Sequence, residues 1–368
     1  MKIALVQDWL TELGGAEKVF KEIYHLYPES DVFTLVYNDD VVKKLGINPE
    51  KMHHSFIQNL PFGKKKYRNY LPLFTKAIES FDLSSYDLII SSSYSVAKGV
   101  LTHSNQTHIC YCHSPVRYAW DLYHQYLREA KLTKGLKALI VKHYLYKLRI
   151  WDIISTNRVD YFISNSNYIK KRIKKVYQRD SITIYPPIEV QKFPLVKDKK
   201  DYFITCSRLV PYKKIDLIIE TFNLLPHLQL KVIGTGPEME KIKRIAGKNV
   251  EIMGYQPDAV LKKEMSEARA FVFAADEDFG IVPLESIASG TPVIALKKGG
   301  TLETVKHLIT GIHFESQTIE SLTKGIEEFI KHSDKFDPEI LRFEALKFDT
   351  SIFKNQIKSF ISNSVLNV

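Results

Sequence analysis

Two glutamates, Glu277 and Glu285, stand eight positions apart around Asp278-Phe279-Gly280-Ile281-Val282-Pro283-Leu284, directly after an apolar run that ends at Ala274. If a helix starts at Val282, Glu277 lies in the preceding loop and Glu285 in the first turn, and the amides of Gly280, Ile281 and Val282 lack partners within the helix. Carboxylates accept hydrogen bonds from sugar or ribose hydroxyls and helix-start amides favour negative charge, so the pattern suits a phosphorylated sugar. Acids at this place can also do no more than complement the helix dipole. Arg208 and Lys213 belong to a second loop, between the run Tyr202 to Ser207 and a helical pattern from Lys214. A planar fork of donors beside a mobile point charge suits a diphosphate, and a solvated charged loop is the alternative.

Gly14-Gly15 ends the first strand-like run, where absent side chains allow a ligand close to the backbone and a helix from Ala16 favours anions. No GxxxxGK[ST] pattern is present, and Gly234-Thr235-Gly236-Pro237 has Met239 where a GxGxxG fingerprint needs glycine, which disfavours a nicotinamide or flavin dinucleotide. His113-Ser114-Pro115 follows the run Thr107 to Cys112, a position from which His113 can meet a sugar hydroxyl or serve as a structural donor. Cys110, Cys112 and Cys206 make an odd count, which predicts reduced thiols in a cytosolic compartment. Cys110-x-Cys112-His113 lacks the spacing and the fourth ligand of a structural zinc site.

The elements that must position these residues alternate. Strand-like runs at Lys2–Gln7, Asp31–Tyr37, Asp87–Ser91, Thr107–Cys112 and Tyr161–Ser164 are separated by helical or loop material, which predicts a covered parallel sheet. Pro186-Pro187 and the charged stretch to Lys200 read as a linker. A second series follows, with strands at Tyr202–Ser207, Leu230–Ile233, Val250–Met253, Ala270–Ala274 and Pro292–Ala295 and helices between them. The expectation is an α/β protein with two Rossmann-like domains facing across a cleft, one over 1–190 and one over 198–345, with a closing helix over 346–368 packed on a core.

A length of 368 residues agrees with two domains, and 45% hydrophobic with 26% charged residues excludes disorder and fibrous folds. No run approaches the roughly 18 apolar residues of a membrane span, and Asp8 closes the first apolar run early, so neither a cleaved signal nor an integral membrane protein is expected. The net charge of +10 favours an anionic partner. No aromatic-basic RNA motif or helix-turn-helix pattern supports nucleic acid. The charge gathers in the first half, at Lys64, Lys65, Lys66, Arg68 and Lys76 and from Lys131 to Arg149. Interleaved Tyr67, Tyr70, Leu71, Leu73 and Phe74 predict an interfacial segment that dips into anionic headgroups.

Together these residues resemble the family 4 retaining glycosyltransferases of the GT-B fold. The resemblance rests on Gly14-Gly15, Ser207-Arg208-Leu209-Val210-Pro211-Tyr212-Lys213, Gly234-Thr235-Gly236-Pro237-Glu238, the E-x7-E element Glu277 to Glu285, and Gly290-Thr291-Pro292-Val293-Ile294-Ala295 with Gly299-Gly300. In the first half, Asp8-Trp9-Leu10, Tyr86 to Ser93 and His113-Ser114-Pro115-Val116-Arg117-Tyr118-Ala119-Trp120-Asp121 look like the bacterial mannosyltransferase branch of O-antigen and related polysaccharide synthesis. Lys214 departs from the pattern, since most relatives carry glycine after the lysine.

The resemblance implies a peripheral enzyme at the inner face of the cytoplasmic membrane that moves a hexose, mannose from GDP-mannose, to a saccharide acceptor that is lipid-linked, with no metal or other cofactor. It implies that 1–190 is the N-terminal acceptor-binding domain, 198–345 the C-terminal nucleotide-sugar-binding domain, and 346–368 a helix that returns to the N-terminal domain. It implies that Arg208 and Lys213 hold the donor diphosphate, Glu277 the sugar and Glu285 the ribose, with Phe279 and the amides of Gly280, Ile281 and Val282 around sugar and phosphate. Gly15 would approach the diphosphate and His113 would lie beside the transferred sugar. Glu277, His113, Arg208 and Lys213 form the expected catalytic set. GDP-rhamnose or a UDP-sugar as donor, and a sugar-nucleotide epimerase of the same fold, are the alternatives.

Overall fold

Apolar runs without polar alternation form strands buried on both faces, and the structure, a computed structural model that describes residues 1–366, stacks them into two parallel sheets. The chain divides into two compact units, one of Met1–Pro186 with the chain from Phe353 onward, the other of Pro187–Ile352. The first sheet holds β1 (Ile3–Gln7), β2 (Asp31–Thr34), β3 (Met52–His54), β4 (Leu88–Ser93), β5 (Thr107–Cys112), β6 (Tyr161–Ser164) and β7 (Ser181–Thr183) in the order β3-β2-β1-β4-β5-β6-β7. Leu5 of β1 sits beside Val32 of β2 and Ile90 of β4. The winding reverses between β1 and β4, so the loops after these two strands diverge and leave the crevice where α/β sheets bind ligands. Helix α1 (Gly15–Tyr24) covers one face with Val19, Phe20 and Ile23, and α2 (Leu136–Ser155) presents Ala138, Leu145 and Leu148 inward.

The second sheet holds β8 (Phe203–Cys206), β9 (Leu230–Ile233), β10 (Val250–Gly254), β11 (Ala270–Phe273), β12 (Val293–Leu296) and β13 (Gly311–Phe314) in the order β10-β9-β8-β11-β12-β13. Here the reversal falls between β8 and β11, with Phe203 beside Ala270 and Ile204 beside Phe271. Helices α3 (Ile215–Asn223) and α4 (Ile281–Ala288) leave the loops after those two strands. The last helix, α5 (Thr350–Leu366), returns Phe353, Ile357 and Ile361 to the core around Leu5 and Tyr111 of the first unit.

Several expectations change. Three short strands, β3, β7 and β13, went unmarked because three or four residues at or near a sheet edge carry little pattern. Helix α4 starts at Ile281 rather than Val282, so Glu285 falls in the second turn. Residues 188–200 are irregular but tied down, since the Ile188 amide donates to Phe348 and the Thr350 amide donates back to Ile188 at 3.0 and 3.1 Å. The expected interfacial segment is the largest correction. Tyr67 and Phe74 are buried, and Tyr70, Leu71 and Leu73 pack on the same core beside Ile57 and Ala77, leaving Lys64, Lys65, Lys66, Arg68 and Lys76 outside. Short helical turns interrupted at Pro72 turn the aromatic side inward.

Candidate functional site

In the second unit, the two loops at the sheet's switch point carry the predicted donor residues. After β8 the chain forms a 3-10 turn at Pro211–Lys213 before α3, and after β11 it runs through Asp276–Phe279 to α4. Lys213 Nζ donates to Glu277 Oε1, which joins the loops, and the ammonium also lies 5.7 Å above the Phe273 ring. Both side chains are mostly buried, where an ion pair is worth more than at the surface. Arg208 is exposed on the first of these loops. Leu209 exchanges backbone hydrogen bonds with Thr235 and Glu238, so the glycine-rich turn at 234–238 buttresses the Arg208 loop.

Gly280 caps α4 with φ of 86°, a conformation that favours glycine. Pro283, third in the helix, has no N–H, so the amides of Gly280, Ile281 and Val282 are the donors that the helix leaves unpaired within itself. Phe279 and Glu285 are both buried, Glu285 with 7% of its surface exposed. Gly300 donates its amide to the Glu277 carbonyl at 2.8 Å, and a Cβ at Gly300 would lie 2.2 Å from Phe279 Cα. The paired glycines therefore let the loop after β12 pack directly on the Glu277 loop and hold it. Lys214, where the resemblance expects glycine, adopts φ of 58°. The position demands a left-handed backbone, which explains the glycine and makes Lys214 a strained substitute.

In the first unit, the loops after β1 and β4 are joined by Asp8. Its buried carboxylate accepts from the amides of Tyr94, Ser95, Val96 and Ala97 at 2.6 to 2.9 Å. Burial raises the Asp8 pKa and the four N–H groups oppose that shift. Glu17, in the first turn of α1, accepts from the Gly14 amide at 2.9 Å and from the Tyr94 hydroxyl at 3.1 Å, and burial pushes its carboxyl up to about 7. Gly15, exposed, begins α1 immediately beyond this clamp.

His113 directly follows β5 with 8% of its surface exposed, and its Nε2 lies 2.8 Å from Ser92 Oγ. Burial pushes its pKa down to about 3, so the imidazole is neutral across the physiological range. It can offer a neutral hydrogen-bonding edge, not a cation. Gln7, beside Ser92 in the sheet, is fully buried with neither amide atom hydrogen-bonded. Such an orphaned amide awaits a water or a ligand hydroxyl.

The structure thus brings Lys213, Glu277 and the α4 start together on adjoining loops, while Gly15 and His113 belong to the other unit. Sequence reasoning missed Asp8, Glu17, Ser92 and Gln7 as contributors. The one available signal was their place at the carboxyl end of a strand or in the first turn after it, and the pairings that matter cross up to 89 residues, from Asp8 to Ala97. Among the described residues, no three His, Cys, Asp or Glu side chains converge as a metal site. Cys110 and Cys112 are buried free thiols.

Two family models match along the chain, "Glycosyltransferase Family 4" over residues 13–192 and "Glycosyl transferases group 1" over 187–339. An uncharacterized glycosyltransferase of Methanocaldococcus jannaschii is 27% identical over 54% of this chain and 58% of its own length. The chain thus matches little more than half of that relative. An alpha-1,3/1,6-mannosyltransferase of Mus musculus is 22% identical over 76% of this chain and 74% of its own. A GDP-mannose-dependent phosphatidylinositol monomannoside mannosyltransferase of Mycobacterium tuberculosis is 28% identical over 36% of this chain and 39% of its own. Among solved structures, Anabaena HepE in complex with UDP and glucose superposes with a TM-score of 0.73 at 18% identity, covering 99% of this chain and all of that one. Sucrose-phosphate synthase of Thermosynechococcus elongatus gives 0.76 at 16% identity over the whole of both chains. At these identities the superpositions show the fold, which is GT-B.

Proposed function

The chain belongs to the glycosyltransferases, its two halves matching the family 4 and group 1 models, and on that premise we propose that it transfers mannose from GDP-mannose to a lipid-linked saccharide at the inner face of the cytoplasmic membrane, in surface polysaccharide synthesis. The observation that carries the donor side is the Lys213–Glu277 pair set against the amide-rich start of α4 at the switch point of the second sheet. When the bond from the anomeric carbon to the diphosphate breaks, negative charge develops on the departing oxygen. Fixed cations and N–H groups stabilise that charge without reorganising.

In this reading Arg208 and Lys213 meet the diphosphate, the amides of Gly280 to Val282 meet phosphate and sugar beside Phe279, and Glu285 accepts from ribose hydroxyls. Glu277 balances Lys213 before the donor arrives and turns to the sugar hydroxyls afterwards. Gly15 meets the diphosphate, and neutral His113 stands beside the transferred sugar. The cations do the work that a divalent ion does elsewhere, so chelator leaves turnover intact. The mannosyltransferases of mouse and Mycobacterium tuberculosis support mannose, and the second of them supports GDP-mannose. A second reading, a UDP-sugar donor, is favoured by the HepE structure with UDP and glucose.

The test is a panel of sugar nucleotides scored for nucleoside diphosphate release with and without lipid-linked saccharide, in the presence of chelator. GDP-mannose should be turned over fastest, and only with acceptor. Preference for a UDP-sugar establishes the second reading, and activity restored only by magnesium or manganese rejects the metal-free assignment.

A further inference from the structure

Helix α2 shows apolar residues on both faces. Its inner side packs Leu145 and Leu148 against Val116, Ala119 and Leu127. Its outer side carries Leu136, Leu139, Ile140, Tyr146, Ile150 and Ile154, and the first three are 74%, 64% and 61% exposed. They fall on one side of the helix as a stripe that steps six residues from Ile140 to Tyr146, with exposed His143 in the gap and Lys147 on the same side, and at 20 residues the helix is about 30 Å long. A soluble helix places mostly charge on that side, and exposed apolar residues towards both ends of it, interrupted by His143 and Lys147, mark a surface that something covers.

The charge around the stripe identifies the cover. Between Glu129 and Asp152 there is no acidic residue, and Lys131, Lys134, Lys137 and Lys147 are exposed with no acidic partner among the described residues. Tyr144 of α2 donates to the Leu71 carbonyl at 2.5 Å, so α2 lies against the 67–73 segment. That segment falls within a second acid-free stretch, from Lys51 to Ile78, which holds Lys65, Lys66, Arg68 and Lys76. A second copy of the chain on the same face would set lysines against lysines. Anionic headgroups satisfy the lysines while the acyl boundary receives the leucines and isoleucines. No helix among the described residues is long and apolar enough to cross a membrane, and α2 itself carries four basic residues and Asp152, so it lies along a surface rather than through it.

We infer that the outer face of α2 is a docking surface for an anionic lipid bilayer, with the helix axis in the plane of the headgroups. The inference uses the lipid-linked acceptor proposed above only as its purpose, and it places the docking on α2 rather than on the aromatic residues of 67–74, which the core holds.

Flotation with vesicles, with neither donor nor acceptor present, tests binding apart from the transfer reaction. The wild type should float with vesicles of phosphatidylcholine and phosphatidylglycerol, poorly with phosphatidylcholine alone, and less at high salt. Leu139→Gln/Ile140→Gln/Ile150→Gln should cut partitioning by about tenfold or more with its unfolding midpoint unchanged. Should that variant fold poorly, Tyr146→Trp gives a second measurement, expected to show a blue-shifted emission on adding anionic vesicles. A wild type that stays in solution, a triple variant that floats as well as wild type, or an unshifted tryptophan overturns the proposal. So does a lipid-free dimer in sedimentation that the triple substitution dissociates, which would assign the face to a second copy.

Discussion

At the scale of single residues, the Lys213–Glu277 pair decides how the donor loops behave. Each side chain is the other's partner across two loops, so removing one leaves a mostly buried charge without that partner. Glu277→Gln and Lys213→Met should each lower turnover by at least tenfold, about 1.4 kcal/mol of transition-state stabilisation, with folding largely intact. Because the two charges act as one unit, the double variant should lose less than the product of the single losses. Steady-state rates of the three variants measure this. Wild-type turnover in both single variants would remove the pair from the donor site. Glu277, Lys213 and the Gly280 loop were legible in the sequence because their types sit at the end of an apolar run. That Glu277 bonds Lys213 was not, since 64 residues separate them and only the pairing of β8 with β11 brings the loops side by side.

At the scale of elements, the start of α1 is held by a carboxyl group that titrates near neutrality. Glu17 ties the Gly14 amide to the Tyr94 hydroxyl, and its folded-state pKa of about 7 lies above the ordinary value of 4.5. The folded protein therefore holds a proton that the unfolded chain has released between these values. Its stabilising contribution is complete below about pH 4.5 and is lost as pH rises through about 7. Glu17→Gln keeps an acceptor and does not titrate. Denaturant melts should show the wild type gaining on this variant by on the order of 3 kcal/mol between about pH 8 and about pH 4. A difference that does not change with pH would show that Glu17 is not held in a proton-retaining site. Helix α2 teaches the complementary lesson. Its basic residues were evident as a cluster, but which of its two apolar sides meets the core depends on where Val116, Ala119 and Leu127 fall, and no helical period states that.

At the scale of the whole molecule, the chain builds the first unit, then the second, and then returns with α5 to complete the first. Phe353 is buried against Tyr111 with ring centroids 6.0 Å apart, in the core that contains Leu5 and Ile357. Phe353→Ala should cost about 3 to 5 kcal/mol through the cavity it leaves. Hydrogen exchange should report the loss in β1 and β5 while β8 and β11 keep their protection. Equal loss in both sheets would mean that the helix supports more than the first unit.

The sequence by itself determined the α/β class, two parallel sheets, most strands and the loops that bear Arg208, Lys213, Glu277 and His113, because strand and helix periods, glycine turns and helix starts are local properties of the chain. Tertiary structure alone decided which loops adjoin at each switch point. It also decided that His113 is neutral, that Tyr67 and Phe74 face the core while the outer face of α2 does not, and that Lys214 carries a left-handed backbone. Each of these depends on burial or on partners distant in the chain, and desolvation and close approach are properties of the packed molecule.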